Sequence, residues 1–497
     1  MCKIQNLRDN PFARFSAEEE EDLRSIYLKP RYYDALKSNA KQGNSRILVG
    51  QRGLGKSATI HMLFEDLSKN KTLPVLISRY DGIPLTDNKS YFLCKMIQSL
   101  TKEITKKLCE DKKKLKKLNK GQRGKLSFLI ELFYDQEFAD DYLAQAKVIR
   151  TKKRMNWFKI LFNNNLKLVN SIVDGVVKIT SSVIRQSIGL SESDLSYGSS
   201  NDYFTEIPLS RINSMPISNI ARMGDEKLVN MLKTTVDISV GLGFDSIVVL
   251  FDKIDEFSAV NSDINKVADF TIPILSDTDL LYTNKLSVVF SLWSEVKRTL
   301  NSRGVRFDKF PDIDISWRGN ELEQLIDKRL LFYSKDKNNP VTLKGLVPFE
   351  NDRKTILELA DGSPRALITI LGRIYDEETT TNNSNSFSAN AISKGLVEFC
   401  IRFDYESLQP SKITDKKNYY SWLNKALAIK KPSFTIPELS GIFQIKQQTA
   451  VKYVSDMTKY RIVDSSEFQD GSGNQVYDIL DPRIKHLMKC GVSNLGK

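Results

Sequence analysis

The sequence predicts an α/β protein: a parallel sheet flanked by helices, interrupted by a long helical insertion and followed by a helical bundle and a small winged-helix domain. Three observations predict it. Arg46–Leu63, RILVGQRGLGKSATIHML, passes from an apolar strand through a glycine-rich turn into an amphipathic helix. The apolar runs Leu73–Arg79, Ser246–Phe251 and Lys285–Leu292 suit strands of a parallel sheet, and Asp312–Trp317 supplies a last one. From Asn320 the apolar period turns helical, and from Tyr419 a helix, a helix–turn–helix and a hairpin follow in order.

The glycine-rich turn fits G-x-x-x-x-G-K-[ST] through Gly50, Gly55, Lys56 and Ser57, with Gly53 as an additional flexible point. Such a loop presents backbone N–H groups to an anion at the positive end of the following helix. Gly50–Ala58, with Gln51, Arg52 and Leu54 inside it, is therefore expected to wrap the phosphates of ATP or ADP. Lys56 would reach the β- and γ-phosphates, and the Ser57 hydroxyl would take one position on Mg²⁺. An α/β P-loop NTPase core is the expected setting.

Before the loop, residues 1–45 carry Asn10-Pro11-Phe12, the acidic run Glu18–Asp22 and an apolar stripe within Leu23–Lys37. The stripe reads as one helix packed on the core, the acidic run as its solvated start, capped by Ser16. Past the second strand a mostly helical insertion is expected over roughly 88–235. Lys102–Lys125 and Arg150–Arg154 are rich in cations, which suits either a nucleic-acid or anionic-lipid contact or a solvated arm whose Leu108, Leu115 and Leu118 face the core. Residues 160–190 are amphipathic but too often interrupted by polar and charged side chains to span a membrane. Ser191–Asp202 reads as a loop.

The strand Ser246–Phe251 ends in Asp252-Lys253-Ile254-Asp255-Glu256. Carboxylates at the C-terminal edge of a parallel strand suit a metal–nucleotide site. Asp252 is expected to hold Mg²⁺, and Asp255 or Glu256 to orient an attacking water. The run ending in Ser291, Trp293 and Ser294 offers a polar strand tip near the γ-phosphate. Gly362-Ser363-Pro364-Arg365 starts a helix and places Arg365 at its first turn, where it can touch a phosphate. Thr379–Ser388 reads as a polar loop. In the last domain, Lys446, Gln447, Gln448, Thr449, Lys452 and Tyr453 are expected on the outward side of a recognition helix, suited to DNA or to a protein contact.

Composition narrows the classes. The 497 residues hold 74 Lys and Arg against 61 Asp and Glu, a net charge of +13, which suits an acidic partner or a generally basic protein. Cys2, Cys94, Cys109, Cys400 and Cys490 are scattered without metal-site spacing and read as free thiols of a reducing compartment. With His61 and His486 alone, a zinc site or a histidine-based triad is not expected. The opening MCKIQNLRDNPFARF has no signal-peptide core, and no integral membrane segment is expected, so the expected location is cytoplasmic.

Together the loop GQRGLGKS, the DKIDE strand end, the polar-tipped strand, GSPR and the terminal winged helix resemble the AAA+/STAND class of P-loop ATPases. The acidic signature is similar to the D-x-h-D-E of STAND and NACHT-type switches. NPF followed by AEEEE is similar to bacterial STAND-like ATPases of phage-defence and other conflict systems. The resemblance implies a regulatory ATPase that changes conformation or self-associates with ATP, answers a phage component or protein effector, and carries Arg365 as its lid sensor. Lys253 stands where many AAA+ members carry Glu, implying slow hydrolysis or an ATP-gated switch. Arg303, Arg306 and Arg318 are candidates for an arginine finger only by position. The order of lid and winged helix also resembles origin-recognition ATPases, implying instead a DNA-binding initiator or loader. The expected division is 1–87 and 236–318 for the two parts of the core, 88–235 for the insertion, 319–410 for the lid and 415–490 for the winged helix.

Overall fold

Parallel strands buried on both faces need helices above and below them, and their alternate residues divide between two cores. A computed structural model describes residue 4 and residues 6–133, 217–381, 385–409 and 412–496. The readings of 150–154, 157–158, 160–190 and 191–202 lie outside these residues. Five strands, β1 (Arg46–Gly50), β2 (Thr72–Ile77), β3 (Ser246–Phe251), β4 (Leu286–Trp293) and β5 (Asp312–Asp314), form one parallel sheet in the order β2-β3-β4-β1-β5. The expected α/β P-loop fold is the one observed.

The alternation is visible residue by residue. Ile47, Val49, Ile247, Val249 and Phe251 enter one core, which the helices Lys89–Glu110, Asp225–Gly241 and Ile264–Leu275 cover. Leu48, Val248, Leu250 and Val289 enter the other, beneath the helices Tyr33–Lys41 and Lys56–Ser68. Leu108 and Leu118 are buried in the first core with Leu115 packed against it, as expected for the inward stripe of the basic segment. Among the described residues no helix is long and apolar enough to cross a membrane. Cys94, Cys400 and Cys490 are free thiols.

A third core joins the helices Gly319–Tyr333, Glu350–Ala360, Pro364–Thr381 and Ala389–Arg402 to the C-terminal elements without a break. Those elements are the helix Lys416–Ile429, β6 (Ser433–Thr435), the helices Ile436–Phe443 and Gln447–Lys459, β7 (Val463–Gln469), β8 (Gln475–Ile479) and the helix Pro482–Lys489. The short sheet runs β6-β8-β7 and is antiparallel, completing a winged helix. Gln409 Nε2 donates to the Tyr460 carbonyl at 2.7 Å and Tyr419 Oη to the Tyr405 carbonyl at 3.0 Å, tying the bundle to the wing.

Local expectations change in four places. The single helix expected over Leu23–Lys37 is two, Leu23–Ile26 and Tyr33–Lys41, because Pro30 cannot donate to a helical ladder and disfavours helical backbone at Lys29. Asp22, not Ser16, caps the first of these by accepting from the Ser25 N–H at 3.1 Å. The helix Pro364–Thr381 absorbs Thr379–Thr381 from the expected loop, the hydroxyls of Thr379 and Thr380 donating back to the carbonyls of Tyr375 and Asp376. Tyr453 is not on the outward side of its helix: it packs edge-on against Trp422 and Phe443, with the Lys425 ammonium 4.8 Å from its ring centre.

The N-terminal segment is anchored to the helix Lys56–Ser68 at Asp66, a buried carboxylate that accepts from Lys37 at 2.8 Å, Tyr33 at 3.1 Å and Arg24 at 3.0 Å. Burial alone would raise this carboxyl, but the hydrogen bonds from Lys37 and Tyr33 and the neighbouring charges outweigh it and hold it at about 2. The depressed value stabilises the fold above the unfolded carboxylate value of about 4 and the contribution disappears as pH falls towards 2. Asp66→Asn should therefore cost about 2 kcal/mol at neutral pH, with the gap to the parent narrowing below about pH 4, as read by urea unfolding across pH.

Candidate functional site

The site lies at the C-terminal ends of β1, β3 and β4, where the sheet order places the tip of β4 between the glycine-rich loop and the acidic turn. Gly53 and Gly55 adopt φ of +83° and +90°, a left-handed backbone that side chains resist. The helix Lys56–Ser68 then starts without a side-chain cap, so its first N–H groups face the cavity. Lys56 Nζ donates to the carbonyls of Gly50 at 2.8 Å and Gln51 at 3.1 Å, folded over its own loop. Burial lowers the Lys56 ammonium below the usual lysine range, against the opposing pull of Asp255 and Asp252.

Asp252 follows β3 and is buried, and its Oδ2 has no hydrogen-bond partner among the described residues. Tyr80 fixes that strand end by donating to the carbonyls of Asp252 at 2.7 Å and Ile77 at 3.0 Å. Lys253 turns the chain with φ +61° into a short 3₁₀ turn that buries Asp255 and leaves Glu256 exposed. Arg52 sits 3.6 Å from Asp255 and 5.5 Å from the centre of the Trp293 ring, and also donates to Ser262 Oγ. Ser291, near the tip of β4, is buried with its Oγ unpartnered.

The lid closes the other side. Its helix begins at Pro364, and the Arg365 N–H donates to the Gly53 carbonyl at 3.2 Å. Trp317 Nε1 donates to the Leu54 carbonyl at 2.9 Å. One cavity is lined by Gly53, Gly55, Lys56, Ser57, Ala58, Asp252, Asp255, Glu256 and Arg365. Gln51 and Arg365 also line a second cavity, between the loop and the lid. The Gly50 carbonyl is taken by Lys56, and Leu54 packs against the second face of the sheet. Arg303 pairs with Asp269 and Arg306 with Asp308, whereas Arg318 is exposed at the head of its helix.

Sequence reasoning missed the strap that roofs this cavity. The acidic run does lead into a helix through the Asp22 cap, with Glu19 and Glu21 exposed, but it is more than a solvated start: Glu18 pairs with Lys253 at 2.9 Å, and Glu20 pairs with Arg329 of the lid, the Glu20 and Arg329 side chains each being 5% exposed. Arg329 also donates to the carbonyls of Pro11 and Arg14. Burial would raise the Glu18 carboxyl, but the Lys253 hydrogen bond and charge hold it below the usual range. Leu23, Ile26 and Tyr27 from the strap meet Trp317, Leu325 and Ile368 around the same cavity, giving it an apolar end. No local signal announces these contacts, since Glu20 and Arg329 are 309 residues apart.

No family model matches this chain, and no curated protein does. Among solved structures it is similar to the ORC2 protein of Aeropyrum pernix, solved as ADPNP-ADP complexes, with 10% identity, 95% of this chain and 98% of that chain covered and a TM-score of 0.39. The ORC1 protein of Aeropyrum pernix in complex with DNA is 8% identical, with 98% of each chain covered and a TM-score of 0.37. Cdc6p from Pyrobaculum aerophilum is 12% identical, with 98% of this chain and 100% of that chain covered and a TM-score of 0.33.

The two left-handed glycines separate loop strain from lid contact. A Cβ on Gly53 would lie 2.6 Å from Ser363 Oγ and 3.2 Å from Arg365 Cβ, while one on Gly55 meets nothing within 4 Å. Gly53→Ala and Gly55→Ala should both pay the backbone cost of about 1–2 kcal/mol. Gly53→Ala should lose about 1 kcal/mol more by pushing the lid tip off the loop, measurable by chemical denaturation of the two variants side by side.

Proposed function

We propose that the chain binds ATP in the cavity between the glycine-rich loop and the lid and works as an ATP-driven switch. The observation that carries this reading is the convergence there of uncapped helix N–H groups, Lys56, a buried Asp252 oxygen without a partner, and Arg365 from the lid. An anion-binding end faces a carboxylate with one oxygen free of hydrogen bonds among the described residues, which suits a metal–phosphate complex. Gly50–Ala58 cradles the phosphates, Lys56 leaves its loop carbonyls to meet the β- and γ-phosphates, and Arg365 meets them from the lid. The apolar end beneath Tyr27 and Ile368 suits the base.

The unpartnered Asp252 oxygen fits a bound cation, and Ser57 and Asp252 would hold Mg²⁺, which supplies charge neutralisation on the phosphates when bound. Asp255, held by Arg52, and exposed Glu256 are the acids available to orient water for hydrolysis. Coupling to the rest of the chain runs through three contacts: Arg365 to Gly53, the strap through Glu18 and Glu20, and Arg461 of the wing to Glu295 after β4 at 3.1 Å. The role in bacterial antiviral defence, with a phage trigger, protein effector or self-association, rests on the sequence resemblance alone.

Lys56→Ala should weaken ATP binding by about tenfold or more, as read by calorimetry. Asp255→Asn or Glu256→Gln should leave binding intact and reduce turnover by about 100-fold or more at whichever acid orients the water. Unchanged nucleotide affinity in Lys56→Ala would falsify the assignment of this cavity.

One observation favours a second reading, an initiator- or loader-type ATPase that binds DNA. Lys446, Gln447, Gln448, Thr449 and Lys452 are all exposed at the start of the recognition helix, and Phe468 on the wing is 74% exposed. If that face meets a duplex, Lys446→Ala and Lys452→Ala should each lower the salt dependence of binding by about one unit, while Gln447→Ala changes sequence preference. DNA affinity that is indifferent to both lysines leaves the wing as a protein-contact module.

A further inference from the structure

The geometry points to a divalent transition-metal site formed by Glu18, His61 and Asp252, at which an ion such as Zn²⁺ clamps the strap to the phosphate-loop helix and occupies the carboxylate needed by Mg·ATP. Three separate elements supply the donors: the strap, the second turn of the helix Lys56–Ser68, and the end of β3. One ligand atom from each lies within 4.8 Å of the others, and His61 Nε2 is 3.6 Å from Glu18 Oε1. This distance is close to the separation of two donors on one ion with bonds near 2 Å.

The cluster does not stand on proximity alone. Asp252 is 2% exposed and its Oδ2 has no hydrogen-bond partner among the described residues, a cost for a buried carboxylate that a bound cation would relieve. Glu18 also accepts from Lys253 at 2.9 Å, which holds the strap carboxylate over the cluster. His61 follows Ser57 by four residues and so shares its helix face, one turn farther from the phosphate end. Imidazole nitrogen with two carboxylates suits Zn²⁺ or Mn²⁺, whereas Mg²⁺ prefers oxygen donors. The site and the nucleotide thus call on one carboxylate, Asp252, from neighbouring positions. That competition rests on the proposed ATP site; the metal site itself does not.

Zn²⁺ binding to the full-length chain without nucleotide, by equilibrium dialysis, tests the site. His486 and Cys490, 3.6 Å apart on another surface, are a possible second pair of donors, so His486→Ala/Cys490→Ser serves as the background. In it, one Zn²⁺ per chain is expected, and His61→Ala and Glu18→Gln should each weaken binding by about 100-fold, the melting temperature of His61→Ala without metal staying near that of the background. Zn²⁺ affinity unchanged by His61→Ala, or no bound Zn²⁺ in the background, overturns the site. Mg·ATP at a concentration that just saturates the background should release the ion from it, and about tenfold more or higher should be needed for the same release from the protein carrying Lys56→Ala. Retention of Zn²⁺ alongside ATP shown to be bound overturns the shared carboxylate, whereas a chain that binds Zn²⁺ but no ATP upholds the site and fails the ATP reading.

Discussion

The pairing of Arg329 with Glu20 is the interaction on which the arrangement of strap, lid and sheet depends. A buried guanidinium is tolerated only when its donors are met, and here a carboxylate and the carbonyls of Pro11 and Arg14 meet them. Fixing those two carbonyls places Phe12 in the lid core on one side. On the other side the chain must cross the cavity, where Glu18 reaches Lys253, before Tyr33 and Leu36 enter the core under the sheet. Residues 6–40 are thus a belt across the cleft, and neither wall of the cavity is complete without them.

The electrostatics of the cleft are arranged in pairs with one exception. Asp255 has Arg52, Glu18 has Lys253, and Lys56 has two loop carbonyls. Asp252 alone keeps a buried oxygen without a partner among these groups, beside a serine hydroxyl on β4 in the same condition. The left-handed turn at Lys253 sends the lysine onto Glu18 of the strap rather than onto Asp252 Oδ2, which keeps no hydrogen-bond partner among the described residues.

What the sequence makes legible is local. The loop Gly50–Ser57 could be placed because its glycines and lysine act within a few residues of one another, and the strands because burial on both faces leaves long apolar runs. The lid stripe Leu322, Leu325, Ile326 and Leu330 is readable for the same reason: Leu322, Ile326 and Leu330 are buried, and Leu325 is half-buried against the same core. The strap was not, because its meaning lies in partners some three hundred residues away. Tyr453 misled because an amphipathic tyrosine fits either face of a helix until Trp422 and Phe443 are placed beside it. Pro30 was visible in the sequence, and the apolar spacing across it was given too much weight.

β5 is only three residues long and closes one margin of the sheet, with Lys297 bridging Asp312 at 2.5 Å and Asp314 at 3.5 Å. Unpaired edge strands invite another chain to add to them, and short length and ionised side chains discourage it. An incoming strand would have to disrupt this small charged clasp. At this margin copies of the protein are therefore steered away from fusing sheet to sheet, and an assembly built on this side must rest on side-chain surfaces of defined shape, which is the kind that can be closed and undone.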